Sequence, residues 1–156
     1  MNQQALHEHD RAGYALALEE ARLGAAEGGV PIGSSLFEGG TRIGSGHNRR
    51  VQNGDPTSHG EIDCLRNVGR RASYAGTTLY STLAPCALCS GAIILFGIPR
   101  VVVGENKNFD GELELLRDRG VEVVLIDDAE ATALMGQFIA ESPSLWNEDI
   151  GVPEND

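Results

Sequence analysis

A zinc-binding pattern divided between two segments constrains the fold of this chain more than any other feature of its sequence. The first segment is His59-Gly60-Glu61, and the second is Pro85-Cys86-Ala87-Leu88-Cys89. One imidazole and two thiols form a suitable set of zinc ligands, and zinc requires a tetrahedral arrangement of them. The pattern therefore predicts a fold that supplies His59, Cys86 and Cys89 to one metal ion.

The number of ligands indicates a catalytic zinc site rather than a structural one. A structural site fills all four positions with cysteine or histidine, whereas a catalytic site keeps one position for water. The chain has three cysteines, and its other histidines show no paired spacing with the pattern. Cys64 is interpreted as a small buried hydrophobic residue and His47 as a structural loop residue. We expect one Zn²⁺ per chain.

Each half of the pattern is predicted to begin a helix. Thr57 and Ser58 offer capping hydroxyls to the first helix, and Pro85 precedes the apolar run of the second. The positive end of a helix favours thiolates. Glu61 is predicted to carry protons beside the metal, although it could also be an ordinary first-turn glutamate. The pattern H-x-E…P-C-x-x-C is typical of zinc deaminases that act on bases, whereas an isolated C-x-x-C also suits a redox pair or a zinc knuckle.

The periodicity of the chain predicts an α/β fold. A helix through Tyr14 to Ala25 precedes a hairpin of strands at 34–38 and 41–46, and a polar loop follows at 47–57. Strands at 77–82, 100–104 and 121–126 alternate with the second zinc helix and with helices at 112–119 and 128–141. A hairpin followed by strand–helix alternation implies antiparallel pairing first and parallel pairing later. We expect a three-layer α/β/α sandwich with a mixed, roughly five-stranded sheet.

Length and charge limit the organisation and the partners. The 156 residues, of which 41% are hydrophobic, predict a single domain over 1–156, with a polar N-terminal extension at 1–12 and a C-terminal lid and tail at 142–156. The net charge of −11 opposes binding to nucleic acid, and the short Arg49-Arg50 and Arg70-Arg71 pairs are expected to be solvated. With no apolar N-terminal segment and no membrane-spanning run, a cytoplasmic location is expected.

Segments outside the zinc pattern carry a resemblance to a known family. They lie at 28–33, 46–48, 77–80, 91–94, 97–100, 102–106, 146 and 148–151. Together with the zinc pattern, they resemble the fungal-type cytosine deaminases of the cytidine deaminase-like zinc deaminase superfamily. The resemblance extends from about Tyr14 to Gly151 and is more specific than membership of the superfamily.

The resemblance implies a homodimeric hydrolase that acts on the C–N bond of a cyclic amidine, converts free cytosine to uracil and ammonia, and serves pyrimidine salvage. A hydroxide on zinc would attack C4, and Glu61 would carry protons to N3 and to the leaving amine. The implied substrate contacts are Asn48, the backbone N–H groups of Gly60 and Cys86, Asp149 as acceptor from the exocyclic amine, the aromatic walls Phe109 and Trp146, and the lining residues Ile32 and Leu83. From the residues alone, Asn48 suits a turn and Trp146 suits packing of the last segment onto the body.

Two positions depart from the family pattern. Ala84 stands where a serine is expected, and Asn147 stands where an aromatic residue is expected. The first change would relax contacts in the pocket, and the second would open the lid. The two departures leave guanine, creatinine or a modified cytosine as alternative substrates. Nucleic-acid editing, which the acidity opposes, and a zinc-stabilised module without turnover are alternatives from other functional classes.

Overall fold

The computed structural model describes residues 6–153, in which five strands form one sheet. The strands are β1 (Gly33–Glu38), β2 (Thr41–His47), β3 (Thr77–Leu83), β4 (Arg100–Glu105) and β5 (Glu122–Leu125). Their order in the sheet is β2-β1-β3-β4-β5. The strand β1 is antiparallel to its neighbours β2 and β3, whereas β4 is parallel to its neighbours β3 and β5. The predicted mixed sheet is confirmed.

Helices cover both faces of this sheet. They are α1 (Asp10–Ala26), α2 (Arg50–Asn53), α3 (Gly60–Val68), α4 (Ala87–Phe96), α5 (Leu113–Asp118), α6 (Ala129–Glu141) and α7 (Pro143–Asp149). None of the helices in residues 6–153 combines the length and the apolar character that crossing a bilayer requires.

The alternation of side chains along the strands produces two helical layers. Successive residues of a strand point to opposite faces of the sheet. On β3, Leu79 packs into one buried cluster and Tyr80 into another. The first cluster includes Cys64, Ile93 and Leu116 from α3, α4 and α5, and the second includes Ala17 and Ala131 from α1 and α6. Because both faces are buried, the predicted three-layer sandwich is confirmed.

The N-terminal helix overlaps the predicted extension at 1–12. α1 begins at Asp10, and the buried Asp10 carboxylate accepts hydrogen bonds of 2.6 and 2.8 Å from the Arg100 guanidinium on β4. Residues 10–12 therefore belong to the packed body. The first part of the predicted extension, residues 1–5, and the end of the predicted tail, residues 154–156, lie outside the described residues.

Local structure near the site differs from the sequence-based expectation in two places. The polar loop predicted at 47–57 contains α2, and the lid segment contains α7, which has Pro143 in its first turn. The prediction that Thr57 or Ser58 caps α3 is wrong. His59 is the N-cap residue without a side-chain cap, and the Thr57 hydroxyl donates instead to Asp55.

The expectation that both arginines of Arg49-Arg50 are solvated is also wrong. Arg49 Nε donates a 3.0 Å hydrogen bond to the buried Asp63 carboxylate, and Arg50 Nε donates a 3.0 Å hydrogen bond to the Pro56 carbonyl. The arginines turn inward because α3 and the preceding loop present these acceptors to them. Arg70 is exposed, as expected.

Candidate active site

The predicted zinc ligands converge at the starts of two helices. His59 is the N-cap residue of α3, Cys86 is the N-cap residue of α4, and Cys89 lies in the first turn of α4. One ligand atom of each residue lies within 4.8 Å of those of the other two. Gly46 on β2 permits the close approach of α3, since a Cβ there would lie 2.6 Å from the backbone nitrogen of Cys64.

This donor set fits a zinc ion. Tetrahedral ligands at about 2.0–2.3 Å from zinc lie about 3.3–3.8 Å from one another, and Cys86 Sγ lies 3.4 Å from His59 Nδ1. A hydrogen bond from Cys89 and another from His59 lower the pKa of the Cys86 thiol to about 4, against the opposing effect of burial. The low pKa supplies the thiolate that binds metal.

Glu61 lies beside these ligands without belonging to their group. It occupies the first turn of α3, is buried, and lines the same cavity. Burial, with a smaller contribution from the charge of Cys86, raises the pKa of the Glu61 carboxyl to about 7. A carboxyl group with a pKa near neutrality both accepts and releases protons, which suits general acid–base catalysis.

The cavity next to the ligands is small, with a free volume of about 10 Å³, which is room for about one water molecule. Seven residues that the resemblance implied as substrate contacts line it: Ile32, Gly60, Leu83, Cys86, Phe109, Trp146 and Asp149. Ala84 and Ile150 line it as well.

Two aromatic rings form one wall of the cavity. Phe109, in the loop after β4, meets Trp146 of α7 edge to face, with ring centroids 5.8 Å apart and planes at 90°. Trp146 is buried with Ile32, Leu83 and Met135. An edge-to-face pair with this separation is favourable and rigid, so α6 and α7 together set the position of the wall.

A buried hydrogen bond forms the polar edge of the cavity. Asn48 Nδ2 donates to Asp149 Oδ1 at 2.7 Å, and Asn48 Oδ1 accepts from the Arg50 backbone N–H at 3.0 Å. Asn48 is fully buried and adjoins the cavity through Asp149, whereas Asp149 lines it directly. Burial raises the pKa of the Asp149 carboxyl, while His59, Asn48 and Arg50 oppose this rise.

The sequence-based interpretation was incomplete around α7. Trp146, Asp149 and Ile150 line the cavity, but Asn147 lies on the outer side of the helix with Ser144 and Glu148. Asn147 therefore does not open the lid, because a helix turns the residue after Trp146 away from the pocket. Recognition of this helix from Pro143 at its start would have placed Ile150 on the inner face.

Cys64 and His47 lie outside the ligand group. Cys64 is fully buried in the sheet-facing core, where burial raises the pKa of its thiol to about 12. His47 ends β2 and is buried, with Nε2 2.8 Å from Glu27 and Nδ1 3.3 Å from Glu20. Both predicted structural roles are confirmed, although His47 lies on a strand rather than in a loop.

The fold and the site together define a zinc-dependent hydrolase of the deaminase class. Residues 7–105 match the family model of the cytidine and deoxycytidylate deaminase zinc-binding region. The chain is 48% identical over 145 residues to a cytosine deaminase from Candida albicans, covering 91% of this chain and 97% of that protein. The chain therefore belongs to the cytidine and deoxycytidylate deaminase family.

More distant relatives are similar to this chain in sequence or in fold. A tRNA-specific adenosine deaminase from Buchnera aphidicola is 40% identical over 102 residues, which cover 64% of this chain and 63% of that protein. A solved tRNA:A34 deaminase structure superposes with a TM-score of 0.71 at 27% identity, covering 80% of this chain and 99% of the other. A guanine deaminase from Nitrosomonas europaea has a TM-score of 0.74 at 23% identity, covering 87% and 86%, and shows the fold alone.

Proposed function

We propose that this protein deaminates free cytosine to uracil and ammonia. The observation that carries the proposal is the Asn48–Asp149 edge, which borders a small cavity beside Glu61 and the three ligands. The similarity to the Candida albicans cytosine deaminase, which extends over nearly the whole of both chains, supports cytosine as the substrate.

The side chains of the cavity have distinct parts in this reaction. When bound by His59, Cys86 and Cys89, zinc supplies the Lewis acidity that makes water nucleophilic near neutral pH. Glu61 takes a proton from the water that adds to C4, delivers a proton to N3, and later protonates the leaving amine. The C4–N bond breaks as a C4=O group forms, which accounts for uracil and ammonia. A carboxyl group with a pKa near 7 suits both directions of transfer.

The remaining contacts orient the ring. Asp149 accepts a hydrogen bond from the exocyclic amine, and the backbone N–H groups of Gly60 and Cys86 at the helix starts donate to the ring. Phe109 and Trp146 hold its faces, while Ile32 and Leu83 complete the apolar lining. Such a site holds the ring close to Glu61 and excludes bulk water, which strengthens each electrostatic contact.

A free base suits this protein better than a nucleic acid. The net charge of −11 repels a phosphate backbone, and α7 covers the cavity with Trp146. A second candidate is deamination of another small ring, such as guanine, creatinine or a modified cytosine. Ala84 favours it, because this small side chain lies in the wall of the cavity where the family pattern has serine.

The assembly that we propose is a homodimer of single-domain chains, one domain over 1–156 and one zinc ion in each, serving pyrimidine salvage in the cytoplasm. An apolar surface on α4 supports the dimer. Leu88 and Phe96 are each 45% exposed and Leu95 is 77% exposed, and Phe96 continues into a cleft with Ile62 and Leu65. A contiguous apolar surface of this kind is typical of an interface.

The decisive experiment measures ammonia release from cytosine and from cytidine by the zinc-loaded protein. We expect release from cytosine alone, with the Glu61→Ala variant losing turnover while retaining zinc. Full turnover by that variant would contradict the proposed proton transfers. Release from guanine or creatinine, but not from cytosine, would favour the second candidate.

A further inference from the structure

Two adjacent arginines, Arg49 and Arg50, direct their side chains to different parts of the molecule. Arg49 contacts Asp63 of α3 through Nε at 3.0 Å and Glu27 after α1 through a terminal nitrogen at 3.8 Å. Arg50 turns toward the cavity instead, where a terminal nitrogen lies 3.9 Å from Asp149 Oδ1. Its side chain is only 15% exposed. Arg49 therefore ties helices together, whereas Arg50 faces the acidic edge of the cavity.

Arg50 is held in place at both its backbone and its guanidinium. Its N–H donates a 3.0 Å hydrogen bond to Asn48 Oδ1, and its Nε donates a 3.0 Å hydrogen bond to the Pro56 carbonyl. The first of these contacts fixes the amide of Asn48 with its NH₂ group toward Asp149, because the amide oxygen is already engaged. The Arg50 side chain thus acts on Asp149 through its charge, whereas the orientation of Asn48 depends on the backbone N–H at position 50.

These contacts converge on one oxygen of Asp149. Asn48 Nδ2 donates to Oδ1, and Arg50 approaches the same Oδ1. Between residues 6 and 153, one hydrogen bond ends on the Asp149 carboxylate, at Oδ1, and none ends on Oδ2. The second oxygen is therefore available to a ligand in the cavity, which Asp149 lines.

We propose that Arg50 is a positioning residue that makes the site select a ring with an exocyclic amine over the same ring with a carbonyl group. It would do so by holding Asp149 through Oδ1 so that Oδ2 accepts a hydrogen bond from the amine. This inference rests on the proposed function. It assigns to Arg50 a role in discriminating between the substrate, cytosine, and the product, uracil.

The charge of Arg50 contributes to this selection. Burial raises the pKa of the Asp149 carboxyl and so favours its neutral form. The guanidinium favours the carboxylate form. A carboxylate oxygen accepts from an amine N–H but repels the carbonyl oxygen that replaces the amine in uracil. Loss of Arg50 therefore weakens cytosine binding without weakening uracil binding.

Calorimetric titration with cytosine and with uracil tests the proposal in the zinc-loaded Glu61→Ala background, where turnover does not interfere. The readout is the ratio of the uracil Kd to the cytosine Kd. We expect Arg50→Ala to lower this ratio by about tenfold or more, as for a lost hydrogen bond to a charged group. Arg50→Lys keeps the charge and should recover part of the ratio. Arg22→Ala, which removes an exposed partner of Glu130 on α6, is the matched control and should leave the ratio of the two Kd values unchanged.

The outcomes separate this inference from the proposed function. An unchanged ratio in Arg50→Ala, including a parallel rise of both Kd values, would overturn the selective role and leave Arg50 a structural residue. If Arg50→Ala fails to fold, Arg50→Lys is measured instead, and a full wild-type ratio in that variant, which lacks the guanidinium, overturns the role of the guanidinium in holding Asp149. Ammonia release by the wild-type protein is measured separately, so a shifted ratio without turnover would refute the proposed function but retain the recognition.

Discussion

Asn48 Nδ2 donates a 2.7 Å hydrogen bond to Asp149 Oδ1, although the two residues lie 101 positions apart in the chain. Asn48 follows β2, and Asp149 ends α7. Because Trp146 lies on the same helix, this bond joins the polar edge of the cavity to its aromatic wall. The cavity is therefore complete only when α7 is packed against the sheet.

The Asp149→Asn variant tests the polar edge. The amide is similar in size to the carboxylate, but it lacks the negative charge. Unless the amide group is flipped, its NH₂ group would also face Asn48 Nδ2, which is itself a donor. We expect KM for cytosine to rise about tenfold, as for a lost charged hydrogen bond. Steady-state ammonia release measures the change. Asp127→Asn, at an exposed position, is the control, and an equal effect in both variants would refute the role of Asp149.

The Cys86→Ala variant tests the metal centre, with Cys64→Ala as its matched control. Loss of one of three ligands should abolish zinc binding, whereas Cys64 packs in the core outside the ligand group. Zinc content per chain measures the difference. Because binding energy contributes to folding, Cys86→Ala and chelator-treated wild-type protein should show a similarly lowered Tm. Retention of zinc by Cys86→Ala would contradict the ligand assignment.

The Arg100→Met variant tests the buried ion pair that holds α1 on the sheet. Asp10 is 1% exposed and keeps both oxygens on the Arg100 guanidinium. Removal of the arginine leaves a buried carboxylate unpaired, which typically costs about 3–5 kcal/mol of the free energy of unfolding. Urea denaturation at neutral pH measures this loss. The double variant Asp10→Asn/Arg100→Met should be more stable than Arg100→Met, and a less stable double variant would contradict the explanation.

The same ion pair predicts a pH dependence. Burial raises the pKa of the Asp10 carboxyl, but hydrogen bonds from Arg100, the His7 backbone and Tyr80 outweigh it and lower the pKa to about 2. A carboxyl whose pKa is lower in the folded state contributes stability above its unfolded pKa of about 4 and loses it as pH falls toward 2. The stability gap between wild type and Arg100→Met should therefore narrow over that interval. A gap that stays constant down to pH 2 would argue against this origin.

The Glu105→Gln variant tests the loop that carries Phe109. The fully buried Glu105 carboxylate accepts hydrogen bonds from the backbone N–H groups of Lys107 and Asn108 and from Asn108 Nδ2. An amide cannot accept all three, so we expect a loss of about 1–3 kcal/mol in unfolding free energy. A raised KM should accompany it, because the loop positions Phe109 against Trp146. Glu114→Gln, at an exposed site, should change neither quantity.

The Leu95→Glu variant tests the proposed dimer. A charge on this 77% exposed leucine of α4 would have to be desolvated at an interface, so we expect a monomer by light scattering during gel filtration. Leu23→Glu is the control, because Leu23 is 47% exposed on α1, away from α4. A monomeric wild-type protein would refute the dimer itself.

Local sequence features predicted the strands, most of the helices and the zinc ligands. Alternation such as Leu79 and Tyr80 reflects the backbone geometry of a strand, and Pro85 marks a helix start through its own fixed torsion. The helices α2 and α7 were missed, since α2 is a single short turn and α7 presents few apolar residues with clear spacing. The inner face of α7 can be identified only once the other residues of the cavity have been placed.

The local patterns of the sequence were enough to predict the α/β class, the order of strands along the chain and the candidate metal-binding residues. These features depend on periodicity and on side-chain chemistry. Only the tertiary structure decided that Asp10 meets Arg100, that Asn48 and Arg50 meet Asp149, and that Phe109 meets Trp146. Each of these contacts joins distant segments. Their geometry depends on how the helical layers pack on the sheet, which no local pattern contains.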